Sequence, residues 1–271
     1  MGKTIAFANQ KGGVGKTTTC INVAAYMAAM GQKVLIIDMD PQGNATSGVG
    51  IEKNNDLKTL YNVIDKEVII DEVILPTTLV NLDVIPSTVD LAGAEIDLVQ
   101  MQAREHVVKK ALDRIKDRYD FILIDCPPSL GLLTVNALTA ADSVIIPIQC
   151  EFFALEGLTQ LMNTIRLIIH HLNPSLKIEG VVLTMKDNRS NLVAQVSEEV
   201  RKFFSTKVYD TYIPRNIRLA EAPSHGLPIL LYDTSSKGAN AYQSLAEEIL
   251  DRNKISYKKI TKNTKIKTRS I

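Results

Sequence analysis

The chain has 271 residues, 45% of them hydrophobic and only 5% aromatic. That is enough apolar material for one large domain or two small ones, and no run approaches the ~18 apolar residues of a membrane span. The formal charge of +1 conceals an acidic body, seven charges negative, joined to residues 252–271, which hold eight Lys and Arg and no acid; a uniformly basic nucleic-acid coat is therefore excluded.

Short apolar runs alternate with helical patterns, the signature of parallel α/β construction. Strands are predicted at 4–8, 33–38, 82–85, 121–125, 143–146, 178–184 and 208–212. Several are unbroken Val/Ile/Leu runs, as strands buried on both faces require. Helices are predicted at about 16–30, 104–118, 131–141, 153–171, 191–205 and 238–252. The pattern gives an α/β fold with a mainly parallel central sheet flanked by helices, in one domain over 1–252. Residues 253–271 read as a basic, disordered tail, because isoleucines 255, 260, 266 and 271 fit no helical face. Cys20, Cys126 and Cys150 are odd in number and lack metal-ligand spacing, so neither a disulfide scaffold nor a zinc site is expected. The N-terminus has no signal-peptide pattern.

The strongest signal follows the first strand. Gln10-Lys11-Gly12-Gly13-Val14-Gly15-Lys16-Thr17-Thr18 opens a helix and is built to hold phosphates. Small residues let backbone N–H groups turn inward, and the helix N-terminus adds positive potential. Lys16 is expected to reach the terminal phosphates and Thr17 to ligate Mg²⁺. The general motif has glycine where Gln10 sits, so this is a variant form with an additional lysine, Lys11.

Two further strands end in acids: Val34–Asp38 followed by Asp40, and Phe121–Asp125. Ligands of open parallel sheets collect at the carboxyl ends of strands, so all three acids are expected beside the loop. Asp125 suits holding Mg²⁺ through water and Asp40 suits positioning an attacking water. Asp38 suits support of either Mg²⁺ or the Thr17 hydroxyl.

Lys11–Thr18 resembles the deviant Walker A motif of the ParA/MinD P-loop ATPases. Asp40-Pro41-Gln42-Gly43-Asn44 and Asp125-Cys126-Pro127-Pro128-Ser129 resemble the switch segments of its ParA branch. Ile213-Pro214-Arg215-Asn216-Ile217-Arg218 and Glu221-Ala222-Pro223-Ser224-His225-Gly226 fit the same branch. The match covers roughly residues 2–250, nearest to chromosomal ParA proteins of the Soj type.

The resemblance implies a P-loop NTPase domain that uses ATP and Mg²⁺, with slow intrinsic hydrolysis. It implies that Lys11 crosses an ATP-sandwiched homodimer to the partner's phosphates, acting in catalysis beside Lys16 and Asp40. Pro214 and Asn216 are expected against the adenine base. Arg189 and Arg218 are expected to bind double-stranded DNA without sequence preference. The implied partners are a ParB-like centromere-binding protein and, in some members, the replication initiator. The implied location is cytoplasmic and nucleoid-associated. Only nine residues precede Gln10, so the helix-turn-helix domain of longer plasmid ParA proteins is not expected. Two rivals share the scaffold. A MinD-like membrane-docked regulator requires a C-terminal amphipathic helix, which the isoleucine spacing lacks, and a P-loop metabolic synthetase would show metabolite-dependent turnover.

Overall fold

The computed structural model describes residues 2–151, 154–187, 191–261 and 263–270. In chain order the core elements are β1 (Lys3–Phe7), α1 (Lys16–Ala29), β2 (Val34–Asp38), α2 (Asn44–Gly48) and α3 (Leu60–Ile64). Next come β3 (Leu75–Pro76), β4 (Leu82–Ile85), α4 (Leu91–Gln100), α5 (Val107–Leu112), β5 (Phe121–Asp125) and α6 (Leu132–Ala140). The chain continues through β6 (Ser143–Gln149), α7 (Ala154–His171), β7 (Lys177–Thr184) and α8 (Asn191–Phe204). It closes with α9 (Ile217–Glu221), α10 (Ile229–Tyr232) and α11 (Lys237–Arg252).

The strands form one sheet in the order β3-β4-β2-β5-β1-β6-β7. Every pairing is parallel except that of β3 with β4. Side chains of one strand point alternately to the two faces, so each face has its own core. Ala6, Leu35, Ile37, Ile122, Ile124 and Ile146 pack under helices α3 to α8. Ile5, Phe7, Ile36, Leu123 and Val182 pack under α1 and α11. The unbroken apolar strands are therefore covered on both sides, as their composition requires. Parallel order also gathers the C-terminal ends of β1, β2 and β5 at one edge, since Phe7, Asp38 and Asp125 lie in register.

Two predicted elements differ. Residues 104–118 hold only the six-residue α5 between two 3₁₀ turns. The run 208–212 is no strand: Val208 bridges Val181, but the amides of Asp210 and Thr211 donate to the Glu248 carboxylate at 2.9 and 3.0 Å instead of joining the ladder.

The tail is a third departure. Residues 253–261 and 263–270 do not hang free but lie across the α1–α11 face. Lys258 N donates to the Met30 carbonyl at 3.0 Å, and Gln243 Nε2 to that of Ile260 at 2.9 Å. Thr268 forms an antiparallel bridge with Leu79, and Arg269 pairs with Asp83 at 2.9 Å. Tyr257, Ile260 and Ile266 pack half-buried against the second core. An extended segment needs no helical face; these three side chains suffice to anchor it. Replacing Tyr257, Ile260 and Ile266 together by serine should lower stability by about 2–3 kcal/mol, given the partial burial of each. Urea unfolding measures this, and an unchanged midpoint would show that the segment contributes no packing.

Candidate nucleotide-binding site

The loop between β1 and α1 turns on two glycines with positive φ, Gly13 at 72° and Gly15 at 86°. L side chains rarely adopt that region, so glycine is required for the turn that delivers the chain to the start of α1. Gly15 is the N-cap residue, and no side chain caps the helix. The first-turn amides of α1 are thus free to meet an anion. Thr184, at the end of β7, buttresses the loop by donating its hydroxyl to the Val14 carbonyl at 2.8 Å. Asn9 steadies the other side, accepting from Lys11 N at 3.1 Å and donating to the Pro147 carbonyl at 2.7 Å. Neither Thr184 nor Asn9 carries a motif signal; only tertiary proximity reveals them.

The two lysines of the loop occupy different environments. Lys16 is 6% exposed, and its Nζ donates to the Lys11 carbonyl at 3.1 Å. Burial pulls its ammonium below the ordinary lysine value, against the opposing charges of Asp125 and Asp40. Lys11 instead turns outward to Glu151 at 2.8 Å.

The three acids gather beside the loop as expected, each with a different set of contacts. Asp125 is fully buried and neither of its carboxylate oxygens has a hydrogen-bond partner. Burial and the adjacent Asp38 push its carboxyl well above the ordinary range, opposed by Thr17 and Lys16. Asp38 accepts from both the amide and hydroxyl of Thr46 at 2.8 Å, and from Asp40 N at 3.2 Å. Burial nevertheless pushes Asp38 up to about 6. Its oxygens anchor the segment 40–46 to β2. Asp40 accepts from Gln42 N at 2.9 Å, while its carbonyl accepts from Ser87 Oγ at 2.8 Å.

A buried carboxylate with two orphaned oxygens is costly unless a cation or donor meets it. Among the described residues no cluster of three or more His, Cys, Asp or Glu could hold a metal alone. That donor set fits Mg²⁺, which takes one or two protein ligands and completes its shell with water and phosphate oxygens.

A largely apolar cavity of about 390 Å³ opens beside Gly15 and Thr18, walled by Met185, Pro214, Asn216 and Leu219. Pro214 is held by a bridge to Lys186. Asn216 Oδ1 caps α9 by accepting from Arg218 N at 2.8 Å, which leaves its amide hydrogens for a ligand. This volume suits a planar base next to the phosphate cradle.

Arg218 is half-exposed but engaged, pairing with Glu221 at 2.9 Å and Asp233 at 3.5 Å. Arg189 lies outside the described residues. No helix among the described residues is long and apolar enough to cross a membrane.

A parallel sheet, a glycine loop feeding a helix, and acids at adjacent strand ends define a P-loop nucleotide-binding domain. The family model described as an AAA domain matches residues 2–178. The sporulation initiation inhibitor protein Soj of Bacillus subtilis is 60% identical over 92% of this chain and 98% of its own length. The chromosome-partitioning ATPase Soj of Treponema pallidum is 51% identical over 93% and 98% respectively. Among solved structures, cobyrinic acid a,c-diamide synthase of Mycobacterium smegmatis, with a bound ATP analog and magnesium, superposes with a TM-score of 0.83 at 34% identity. That match covers 96% of this chain and 100% of the other. The chain belongs to the ParA/Soj family of P-loop proteins.

The raised carboxyls make stability depend on pH. Unfolded, these groups release protons near 4; folded, Asp38 holds its proton to about 6, and Asp125 also well above its ordinary value. The fold binds the extra protons within that window, so raising the pH through it removes stability. Nucleotide-free Asp125→Asn should therefore melt above the wild type at about pH 8, with the gap closing toward about pH 4. Thermal unfolding across pH checks it; a variant that melts lower throughout contradicts the assignment.

Proposed function

We propose that this protein is an ATP-dependent dimerisation switch in chromosome or plasmid partitioning. In this reading the ATP-bound dimer holds double-stranded DNA without sequence preference, and hydrolysis releases it. The observation that carries the reading is the divergence of the two loop lysines. Lys16 is buried at the cradle, whereas Lys11 points away from it to Glu151. A cation so placed suits a neighbouring copy's phosphates better than its own. The family relationship supports the cellular role, since relatives along almost the whole chain are partitioning proteins.

Gly12, Gly13, Val14, Gly15 and Thr18 would surround the phosphates with backbone amides, and Lys16 would neutralise the terminal ones. Thr17 and Asp125 would hold Mg²⁺, Asp125 through water, with Asp38 fixing the segment that carries Asp40. Magnesium bound there supplies positive charge to the phosphate oxygens. Asp40 would orient the attacking water, its backbone fixed by Ser87 and Asp38. Pro214 and Asn216 would take the adenine. Lys11, released from Glu151, would enter the partner's site and stabilise charge developing in the transition state. Slow turnover suits a timer, and a ParB-like centromere-binding protein would accelerate it.

For DNA, Arg218 and Arg189 would supply a few phosphate contacts per copy. Arg218 must leave Glu221 and Asp233 to do so, which keeps a single copy's grip weak. Two copies on one duplex add their contacts, so binding follows the nucleotide state.

Lys11→Ala should keep ATP affinity within about threefold while losing ATP-dependent dimerisation and nearly all hydrolysis. Nucleotide titration, sedimentation and phosphate release measure the three quantities. Wild-type turnover in this variant would sink the reading.

A further inference from the structure

The segment after α11 carries the chain's densest positive charge, and its fold fixes where that charge points. Of eight basic residues in 252–271, two are engaged at home. Arg252 pairs with Glu248 at 2.7 Å and Arg269 with Asp83 at 2.9 Å. Lys262 lies outside the described residues. The other five, Lys254, Lys258, Lys259, Lys265 and Lys267, are exposed and make no ion pair among the described residues.

A few inward side chains pin this strap between exposed lysines. Ile266 turns into the core between exposed Lys265 and Lys267, and Ile260 does so beside Lys259. The backbone of the lysines is itself anchored: Lys258 N donates to the Met30 carbonyl at 3.0 Å, and the Lys267 carbonyl accepts from Val80 N at 3.1 Å. The lysines thus sit on an anchored backbone rather than on a loose arm, which reduces the ordering cost of engaging a ligand. Lys258 sits at the far end of α1 from the phosphate cradle. Fourteen residues of helix place it about 20 Å away.

We propose that this strap is a second surface for the phosphate backbone of duplex DNA, one that works without nucleotide. It rests on the partitioning reading only for the choice of duplex DNA as the polyanion. Exposed ammonium groups spread along an extended strap suit a repeated, evenly charged backbone rather than a small anion. A lipid surface would need bulky apolar side chains facing outward among the lysines. Here Tyr257, Ile260 and Ile266 face inward, and among the strap's described large apolar residues only Ile255 is exposed, at 37%. The consequence is a weak hold on DNA in every nucleotide state, so that a protein released by hydrolysis lingers near the duplex. The ATP-dependent dimer then strengthens a contact that already exists.

The test uses the full chain without nucleotide and a random-sequence duplex, read by fluorescence anisotropy. Binding should be present at about 50 mM salt and fall by about 150-fold by about 200 mM, the slope of about four phosphate contacts at about 0.9 counterion each. Replacing all five lysines by glutamine should abolish this binding while the melting temperature and ATP affinity stay as in wild type. Absence of nucleotide-free binding at low salt overturns the proposal. So does an unchanged salt slope in the five-lysine variant, or a preference for phosphatidylserine vesicles over duplex. Arg218→Glu separates the two readings, because it should remove only the increment that ATP adds. No ATP increment in the wild type, with strap binding intact, would refute the switch and leave the strap standing.

Discussion

Everything at this site depends on acidic groups buried beside one another at adjacent strand ends. Asp125 has no hydrogen-bond partner for either oxygen, Asp38 ends the neighbouring strand, and Asp40 follows two residues later. The nearest cation, Lys16, is itself buried and pulled below its usual value. Such an arrangement is costly in a protein interior and is not chosen for stability. A divalent cation with phosphate oxygens in its shell would offset that cost.

The sheet makes that concentration possible. Parallel strands β1, β2 and β5 finish together, so a loop and two acidic turns converge without any long connection. Hydrogen bonds from the Thr46 amide and hydroxyl to Asp38, and from the Ser87 hydroxyl to the Asp40 carbonyl, then lock the turn after β2 to the turn after β4. Lys11 stands at the margin of this assembly, tied to Glu151 rather than to the acids. That contact is partly exposed and screened by solvent, so exchanging Glu151 for a stronger anionic partner costs little.

The phosphate loop and both strand-terminal acids were legible because a motif fixes residue types at short range. β4 and β5 were legible because apolar runs between turn signals leave few choices. Other features depend on distant groups and carry no local pattern. Residues 208–212 have strand composition, yet Glu248 from α11 takes the amides of Asp210 and Thr211 and interrupts the ladder between Tyr209 and Ile213. Thr184 and Asn9 matter only because the fold brings them to the loop. The tail was misread for a definite reason: its composition is polar and its isoleucines defeat a helical test. An extended segment asks only for occasional inward side chains, and Tyr257, Ile260 and Ile266 meet that requirement. Arg218 shows the opposite limit: the resemblance implies a DNA contact there, and the two acidic neighbours that the structure gives it carry no signal in the motif.

The central claim is that each site is completed by a lysine from another copy. Mixing Lys11→Ala protein with Asp40→Ala protein tests it most directly. In a mixed dimer, the Lys11→Ala protomer keeps its own Asp40 and receives Lys11 from its partner, so one site is whole. The account predicts ATP hydrolysis in the mixture that neither variant shows alone. If the mixture is as inactive as its components while mixed dimers form, Lys11 acts within its own chain and the account is wrong.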